Sequence, residues 1–261
     1  MIKFRYFCIQ LILLCSIFRG VSGEDNFKMD IFIKSYSKDF SWLSYCVRSI
    51  EKFVKNVNNV IIVIPEKDLH LFNLTLSPKF QLHVVNESGN GYLFQQYIKM
   101  TAHHYSQADY IMFVDSDCVF TKEIDFHELV KNEKPTILMT KYSELVDKNG
   151  KSLVPWQSPT EKVFGQSVKY EFMRRNFLVY KSSTLEHLEK WFPHDLKNYI
   201  LSQTIFSEFN VIGAFAYFFE NNNYNFIDTK NWTYEEPPGK QFWSYSGLTE
   251  IEKQELESLL Q

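Results

Sequence analysis

The chain alternates between short apolar segments and longer segments in which apolar residues recur with helical spacing. Four of the short segments, rich in β-branched and aromatic residues, predict strands: MDIFIKSY, NVIIVIP, FQLHVV and DYIMFVDSD. Two of the longer segments predict helices: DFSWLSYCVRSIEKFV, with Asp39 as its N-cap candidate, and GYLFQQYIKMTAHHYS. Strands that alternate with helices favour an α/β fold with a mostly parallel sheet and helices on both faces. Ligands of such folds bind at the carboxyl ends of the strands.

The second half of the chain has a less regular pattern. Two segments predict further strands, TILMTK and NFLVYK, and the second leads into a predicted helix, SSTLEHLEKWF. Between these strands lies a polar segment interrupted by Pro and Gly, SELVDKNGKSLVPWQSPTEKVFGQS, which predicts a long loop that covers a substrate. One long buried helix is predicted over ILSQTIFSEFNVIGAFAYFFENN, and the tail through Gln241 is expected to be irregular.

Composition limits the number of domains and the class of partner. The chain has 261 residues, of which 45% are hydrophobic and 23% charged, enough for one compact domain with a sizeable core. The formal net charge is -3, and no basic run is longer than the Arg174 and Arg175 pair. Because binding to a phosphate backbone needs a basic surface, no nucleic-acid partner is expected.

The N-terminus predicts a cleavable secretory signal peptide. Lys3 and Arg5 precede the mostly apolar 12-residue stretch FCIQLILLCSIF, and Ser22 and Gly23 supply small residues at the cleavage site. The stretch is too short to span a bilayer comfortably, so no stable transmembrane anchor is expected, and a retained signal-anchor is the alternative. We therefore predict a signal peptide over residues 1–23 and a single domain over residues 24–261, in the secretory lumen or outside the cell.

In a secreted protein, three sequons could be glycosylated and two cysteines could form a disulfide. The sequons begin at Asn73, Asn86 and Asn231, and each is a candidate for N-glycosylation. Once the signal peptide is removed, Cys46 and Cys118 remain, and they form either one disulfide or two buried thiols. Two cysteines are too few for an all-thiolate zinc site.

The end of the fourth predicted strand carries the main candidate chemistry, in the segment YIMFVDSDCVF. Residues i and i+2 of a strand point to the same face, so Asp115 and Asp117 are predicted to converge on one cation. Carboxylates are hard oxygen ligands that suit Mn2+ or Mg2+. A structural alternative is that the two aspartates only form a turn or cap a helix.

A second enzymatic alternative is the D-x-D-x-[T/V] motif of the haloacid dehalogenase superfamily. In that motif the first carboxylate, here Asp115, is the nucleophile that attacks phosphorus. The motif normally opens its fold, whereas three predicted strands precede Asp115, and no paired aspartates follow to complete a magnesium site. The position of the motif therefore disfavours a phosphatase.

Five segments in a fixed order resemble those of a known fold family: MDIFIKSY, QQYIKM, FVDSDCVF, MRRNFLVY and SEFNVIGAFAYF. From about Met29 to Gly213 the chain resembles GT-A glycosyltransferases, and most closely a glycosyltransferase-like family of unknown function. The resemblance implies that Asp115 and Asp117 hold Mn2+ or Mg2+ against the diphosphate of a nucleotide sugar, a UDP- or GDP-sugar. The cation would stabilise the diphosphate that leaves as the glycosidic bond breaks. The acceptor, whether glycan, lipid or protein, is not indicated.

The resemblance also implies which residues bind the donor: Ser35, Tyr36, Lys38, Gln95, Gln96, Lys99, Ser116, Arg174 and Arg175. Tyr36 would stack on the base and Lys38 would meet phosphate, although half-buried packing also explains the tyrosine. Gln95 and Gln96 share a helix face with Lys99 and suit ribose or sugar hydroxyls, unless that face is merely solvated. The two arginines would clamp a phosphate or a carboxylate group, because a guanidinium binds such groups bidentately.

Glu208 is the predicted catalytic residue. It lies in a segment of mainly apolar residues, where burial is expected to raise the pKa of a carboxyl group and suit it to act as general base for an acceptor hydroxyl. The alternative is a structural acid paired with an arginine.

The chain departs from the GT-A pattern in one respect. Many GT-A enzymes use a late histidine as a metal ligand, but no histidine follows His194, so Asp228, the tail or solvent would complete the coordination. Lys240 is a candidate to close over the diphosphate, and His103 with His104 is interpreted as helix-end structure. The missing histidine motivates a further alternative, a non-catalytic sugar- or protein-binding protein on a degenerate transferase fold.

Overall fold

The computed structural model describes residues 27–174, 176–192, 195–232, 238–244 and 247–261. The predicted signal peptide and Arg175 lie outside the described residues. Within these ranges, no helix has both the length and the apolar character needed to cross a membrane.

The secondary structure alternates as predicted through the first half of the chain. The strands are β1 (Met29–Lys34), β2 (Val54–Lys55), β3 (Val60–Pro65), β4 (Phe80–Val85), β5 (Tyr110–Phe113), β6 (Cys118–Phe120), β7 (Ile124–Asp125), β8 (Val130–Lys131), β9 (Lys134–Lys141), β10 (Tyr170–Glu171), β11 (Leu178–Lys181), β12 (Asn225–Asp228) and β13 (Gly239–Gln241). The α-helices are α1 (Phe40–Phe53), α2 (Gly91–Met100), α3 (Gln157–Phe164), α4 (Ser182–Trp191), α5 (Leu196–Leu201), α6 (Glu208–Phe219) and α7 (Glu250–Leu260). Short 3-10 turns join several of them, including Ser37–Asp39 and Ala102–His104.

A five-stranded sheet in the order β11-β5-β1-β3-β4 forms the centre of the fold. Strands β1, β3, β4 and β5 are parallel, and β11 is antiparallel to β5. This arrangement confirms the predicted α/β fold with a mostly parallel sheet flanked by helices, and it is compatible with a GT-A-like fold.

Strands β1, β3 and β5 are largely apolar because both faces of the sheet are buried over them. In β1, Phe32 packs into the core under α2, α4 and α6, while Ile31 and Ile33 pack into the core under α1. A strand covered on both sides buries its side chains in both directions, which is why these segments read as mostly hydrophobic runs. The edge strand β4 is more polar and partly exposed.

The second half of the chain contains more regular structure than the sequence pattern predicts. The predicted long loop includes α3, and the predicted irregular tail contains β12 and β13, which pair with β9 and β6. The predicted single helix is two helices, α5 and α6. The break occurs because the side chain of Ser207 accepts a hydrogen bond from the backbone N–H of Asn210 and so caps a new helix.

The tail is held against α1 by a small apolar cluster. Trp42 of α1, Val119 of β6, Phe242 and Leu256 of α7 are buried together, and the rings of Trp42 and Phe242 lie 5.2 Å apart between centroids. Together with the pairing of β13 and β6, this cluster fixes the segment after β13 beside the turn that follows β5.

The two cysteines and the three sequons have well-defined positions. Cys46 and Cys118 are both buried and free, so the second of the two alternatives, buried thiols, is confirmed. Asn73, Asn86 and Asn231 are all exposed.

Candidate functional site

The two aspartates of the D-x-D segment lie in a turn at the carboxyl edge of the sheet. Strand β5 ends at Phe113, and the backbone N–H of Cys118 donates to the carbonyl of Asp115 over 2.9 Å to close the turn. The prediction that strand alternation orients Asp115 and Asp117 alike is therefore wrong, because the chain has left the strand before it reaches either residue. Their different surroundings follow from this turn.

Asp115 is tied to the helices on one face of the sheet through Lys99. The ammonium of Lys99 lies 2.7 Å from Oδ1 of Asp115 and 3.0 Å from Oε1 of Glu208. Burial alone would lower the pKa of Lys99, but the two carboxylates outweigh burial and raise it. Lys99 is therefore a permanent buried cation, while the Asp115 side chain remains 38% exposed and can accept a further ligand.

Asp117 is held by the tail of the chain. Its carboxylate accepts a hydrogen bond from the backbone N–H of Ser244 over 2.8 Å and a longer one, 3.5 Å, from the side-chain amide of Gln241. Asp117 is 7% exposed. Burial raises the pKa of Asp117, and the charge of Asp115 raises it further.

Asp39 is a third carboxylate of the same site. It occupies the N-cap position of α1 as predicted, but its side chain makes no capping hydrogen bond. Instead its carboxylate accepts hydrogen bonds from the hydroxyl of Ser116, over 3.2 Å, and from the side chain of Ser244. Burial raises the pKa of Asp39, and Asp117 and Asp115 add to the increase.

The arrangement concentrates negative charge at one point. Asp115 and Asp117 disfavour the ionised form of Asp39, Asp115 also disfavours that of Asp117, and the lysine that contacts Asp115 is shared with Glu208. Oxygen ligands of this kind fit a hard divalent cation such as Mg2+ or Mn2+, which would relieve the repulsion. The chemistry of the donor set is therefore consistent with the predicted metal.

A buried basic group and an unpaired hydroxyl lie at the end of β1. The ammonium of Lys34 donates to the backbone carbonyl of Ser35 over 2.8 Å. Lys34 is 4% exposed, and burial lowers its pKa to about 8 against the opposing influence of Glu87 and Asp68.

Ser35 and Tyr36 follow Lys34 directly. The hydroxyl of Ser35 is fully buried and has no hydrogen-bond partner among the described residues. Tyr36 is 37% exposed, and burial, then Asp39 and Asp117, raise the pKa of its hydroxyl. Tyr36 is therefore near the carboxylates and partly exposed.

The remaining predicted donor-binding residues fall into two groups. Gln96 is buried, and its side-chain oxygen accepts a hydrogen bond from the backbone N–H of Glu208 over 2.8 Å, so it supports the start of α6. Lys38 is exposed and Gln95 is half-buried, and their roles stay predictions.

Three predicted residues are engaged elsewhere in the fold. Arg174 lies against the fully buried Glu171, in an ion pair without hydrogen-bond geometry. Asp228 caps the 3-10 turn that follows β12 by accepting from the backbone N–H of Lys230, and Lys240 pairs with Glu255 of α7 over 3.1 Å. Asp228 and Lys240 thus have structural partners that account for them.

The sequence pattern does not reveal Lys34, Gln241 or Ser244 as site residues. Gln241 and Ser244 are 124 and 127 residues from Asp117 along the chain, and only the pairing of β13 with β6 brings them to it. Lys34 had a local signal, since a lysine at the end of a mostly apolar buried strand needs a reason to be there.

Comparison with known sequences places the chain in a family. Residues 29–234 match the family described as "Family of unknown function (DUF6492)". The chain belongs to this family. Most of the DUF6492 segment is the sheet and helices described above, and it contains Asp39, Asp115 and Asp117. No curated protein sequence matches this DUF6492 chain.

Proposed function

We propose that this protein is a glycosyltransferase of the secretory pathway that transfers a sugar from a nucleotide-sugar donor, with Mn2+ or Mg2+ bound at the carboxyl edge of the sheet. One observation supports this most strongly: Asp39, Asp115 and Asp117 come together there, and the buried ammonium of Lys99 lies 2.7 Å from Asp115. A cluster of carboxylates suits a cation, and the buried Lys34 at the end of β1 is the candidate contact for the diphosphate that the cation binds. The lowered pKa of Lys34 would be restored by the negative charge of that diphosphate.

The reaction transfers a glycosyl group. The bond between the anomeric carbon and the diphosphate oxygen breaks, a bond forms between that carbon and an acceptor oxygen, and the acceptor gives up its proton. The cation, when bound, stabilises the charge that develops on the leaving diphosphate. In this proposal Asp115, Asp117 and Asp39 are ligands, Lys34 contacts the phosphate, and Tyr36 stacks on the base.

Glu208 is better explained as a positioning residue than as the general base. Its side chain is 4% exposed and its carboxylate is bound to Lys99. A base must reach the acceptor hydroxyl, whereas this carboxylate holds Lys99 in place against Asp115. Of the two alternatives from the sequence, we favour the structural acid, with a lysine rather than an arginine as its partner.

The secretory location is part of the proposal. It is supported by the signal-like residues 1–23 and by the exposure of Asn73, Asn86 and Asn231, which leaves all three accessible to glycosylation.

Isothermal titration of UDP and GDP into the purified protein, with Mn2+ or with EDTA, tests the proposal. We expect binding that requires Mn2+ and is lost in Asp117→Asn. Asp125→Asn is the matched control, because Asp125 is a surface aspartate at the end of β7 that bonds to His127 and Asn56, away from the sheet edge. Equal binding with and without metal, or full binding by Asp117→Asn, would refute the metal-dependent site.

Two further measurements separate the alternatives. A panel of nucleotide sugars incubated with the protein and Mn2+ should release free nucleoside diphosphate slowly, whereas a non-catalytic binding protein would retain the donors intact. Turnover of p-nitrophenyl phosphate that disappears in Asp115→Asn would instead indicate a phosphatase.

A further inference from the structure

A large cavity lies at the opposite end of the sheet from the aspartates. It is an open groove of about 930 Å³ at the amino ends of β1 and β5, next to the end of β11. Its wall includes His103 and His104 from the turn after α2, and Glu186, Glu189 and Lys190 from α4. The proposed transferase site uses none of these residues.

Two imidazoles in this wall converge on one carboxylate. Nε2 of His103 lies 2.9 Å from Oε2 of Glu189, and Nε2 of His104 lies 2.7 Å from the same oxygen. The two rings are nearly perpendicular, at 83°, with centroids 4.3 Å apart, so their nitrogens approach Glu189 from different directions. One candidate ligand atom from each of the three residues lies within 4.8 Å of the other two.

These distances are close to those of a tetrahedral metal site. Zinc bonds of about 2.0–2.1 Å to nitrogen and oxygen place neighbouring tetrahedral ligands roughly 3.3 Å apart. The contacts of Glu189 with the two imidazoles would need to lengthen by only about half an ångström to admit the ion. His104 is more than half exposed, so its ring has room to rotate and lengthen its own contact with Glu189.

His103 is the more buried of the two imidazoles. Its side chain is 11% exposed, against 53% for His104, and its Nε2 faces Glu189. Metal ligation requires an unprotonated nitrogen, so an ion at Nε2 would leave the proton of the neutral imidazole on Nδ1.

We propose that His103, His104 and Glu189 bind a borderline transition-metal ion, Zn2+ by preference, with a fourth position open to the groove. Two imidazoles and one carboxylate are a ligand set that zinc sites use, and three protein ligands leave one position for water or an exogenous group. The ion joins the turn after α2 to the middle of α4. Because α2 also carries Lys99, the bound ion stabilises the helix that supports the opposite edge of the sheet.

The proposal is tested with untagged, metal-stripped protein titrated with Zn2+ by calorimetry in the presence of excess Mg2+. Because the excess Mg2+ occupies sites made only of carboxylates, the measured heat comes from Zn2+ that binds to the site with imidazole ligands. We expect saturable binding of one Zn2+ per chain, an increase in Tm, and a tetrahedral visible absorption spectrum when Co2+ replaces Zn2+. His104→Ala and Glu189→Gln should each abolish all three signals.

His187→Ala is the matched control. His187 is also on α4, and its Nδ1 lies 2.7 Å from Oε1 of Glu220. It does not belong to the described residues that line the groove. This variant and Asp117→Asn should both bind Zn2+ like the wild type, which separates this site from the proposed transferase site. No saturable Zn2+ binding by the wild type, or undiminished binding by both His104→Ala and Glu189→Gln, would overturn the proposal and leave a simple hydrogen-bonded cluster.

Discussion

The ammonium of Lys99 and the carboxylate of Glu208 lie 3.0 Å apart, with each side chain only 4% exposed. Through the same ammonium, Glu208 is linked to Asp115. One buried cation thus connects the end of α2, the start of α6 and the turn after β5. The position of Asp115 depends on this connection, since the strand that carries it has already ended.

Lys99→Met should destabilise the protein by about 3–5 kcal/mol, because it leaves the buried carboxylate of Glu208 without a partner. Urea unfolding measures the loss, and adding Glu208→Gln should restore part of it by removing the unpaired charge. Lys190→Met is the control, since Lys190 and Glu186 form an exposed pair on α4 that should contribute less than about 1 kcal/mol. A Lys99→Met protein as stable as the wild type would show that the buried pair contributes nothing.

Lys34→Met should increase stability near pH 7 and weaken nucleotide binding. The pKa of Lys34 falls to about 8 in the folded protein, while an unfolded lysine titrates near 10.4. The folded state therefore binds fewer protons between these values, and wild-type stability should rise with pH across that window. Below pH 8 the full cost of the buried charge is present, so the variant should be more stable there by up to roughly 3 kcal/mol.

Unfolding of wild type and Lys34→Met between pH 7 and 10.5 checks this expectation, with the exposed Lys28→Met as control. The stability difference should shrink as pH rises. A difference that stays constant over this range would mean that Lys34 is not a buried charge. Calorimetry of UDP with Mn2+ on the same variants tests the phosphate contact separately.

Asp39→Asn should stabilise the metal-free protein at neutral pH. Burial and the neighbouring aspartates raise the pKa of Asp39 above its unfolded value, so the ionised carboxylate costs stability above the folded pKa. As pH falls through that folded pKa the wild-type carboxyl becomes neutral, and the advantage of Asp39→Asn should disappear.

Urea unfolding in EDTA at a series of pH values from 7 to 4 measures this difference. Repeating it with Mn2+ should reverse the order of stability, because the cation binds the wild-type carboxylate more strongly. Glu144→Gln is a suitable control, since Glu144 is paired with Lys230 away from the sheet edge. If Mn2+ stabilises both proteins equally, Asp39 is not a ligand.

The sequence predicts the central sheet well and the site only in part. Strands β1, β3 and β5 are recognisable because burial on both faces demands long apolar runs, and the edge strand β4 is recognisable as a short segment rich in β-branched and aromatic residues. Asp39 is correctly placed at the start of α1, but its carboxylate faces Ser116 rather than the helix N–H groups, and only the tertiary structure decides between these partners.

The segment around β13 shows most clearly why the remaining site residues could not be predicted from the sequence. Lys240 and Gln241 are adjacent, and a strand sends adjacent side chains to opposite faces. Lys240 therefore meets Glu255 on α7, while Gln241 is turned towards Asp117. In the sequence Lys240 is the more obvious candidate because it is charged. The register of β13 against β6 instead directs Gln241 towards the site.

The pairing of β13 with β6 has a practical consequence for how this family is delimited. The family match ends at residue 234, before β13 begins, whereas the N–H that holds the Asp117 carboxylate belongs to Ser244. A protein shortened to the matched segment would keep all three aspartates and yet lose the hydrogen bonds that Ser244 and Gln241 donate to Asp117 and that Ser244 donates to Asp39. It would also expose Trp42, which is 2% accessible in the intact protein. Boundaries drawn from sequence similarity alone therefore divide the candidate site of this protein.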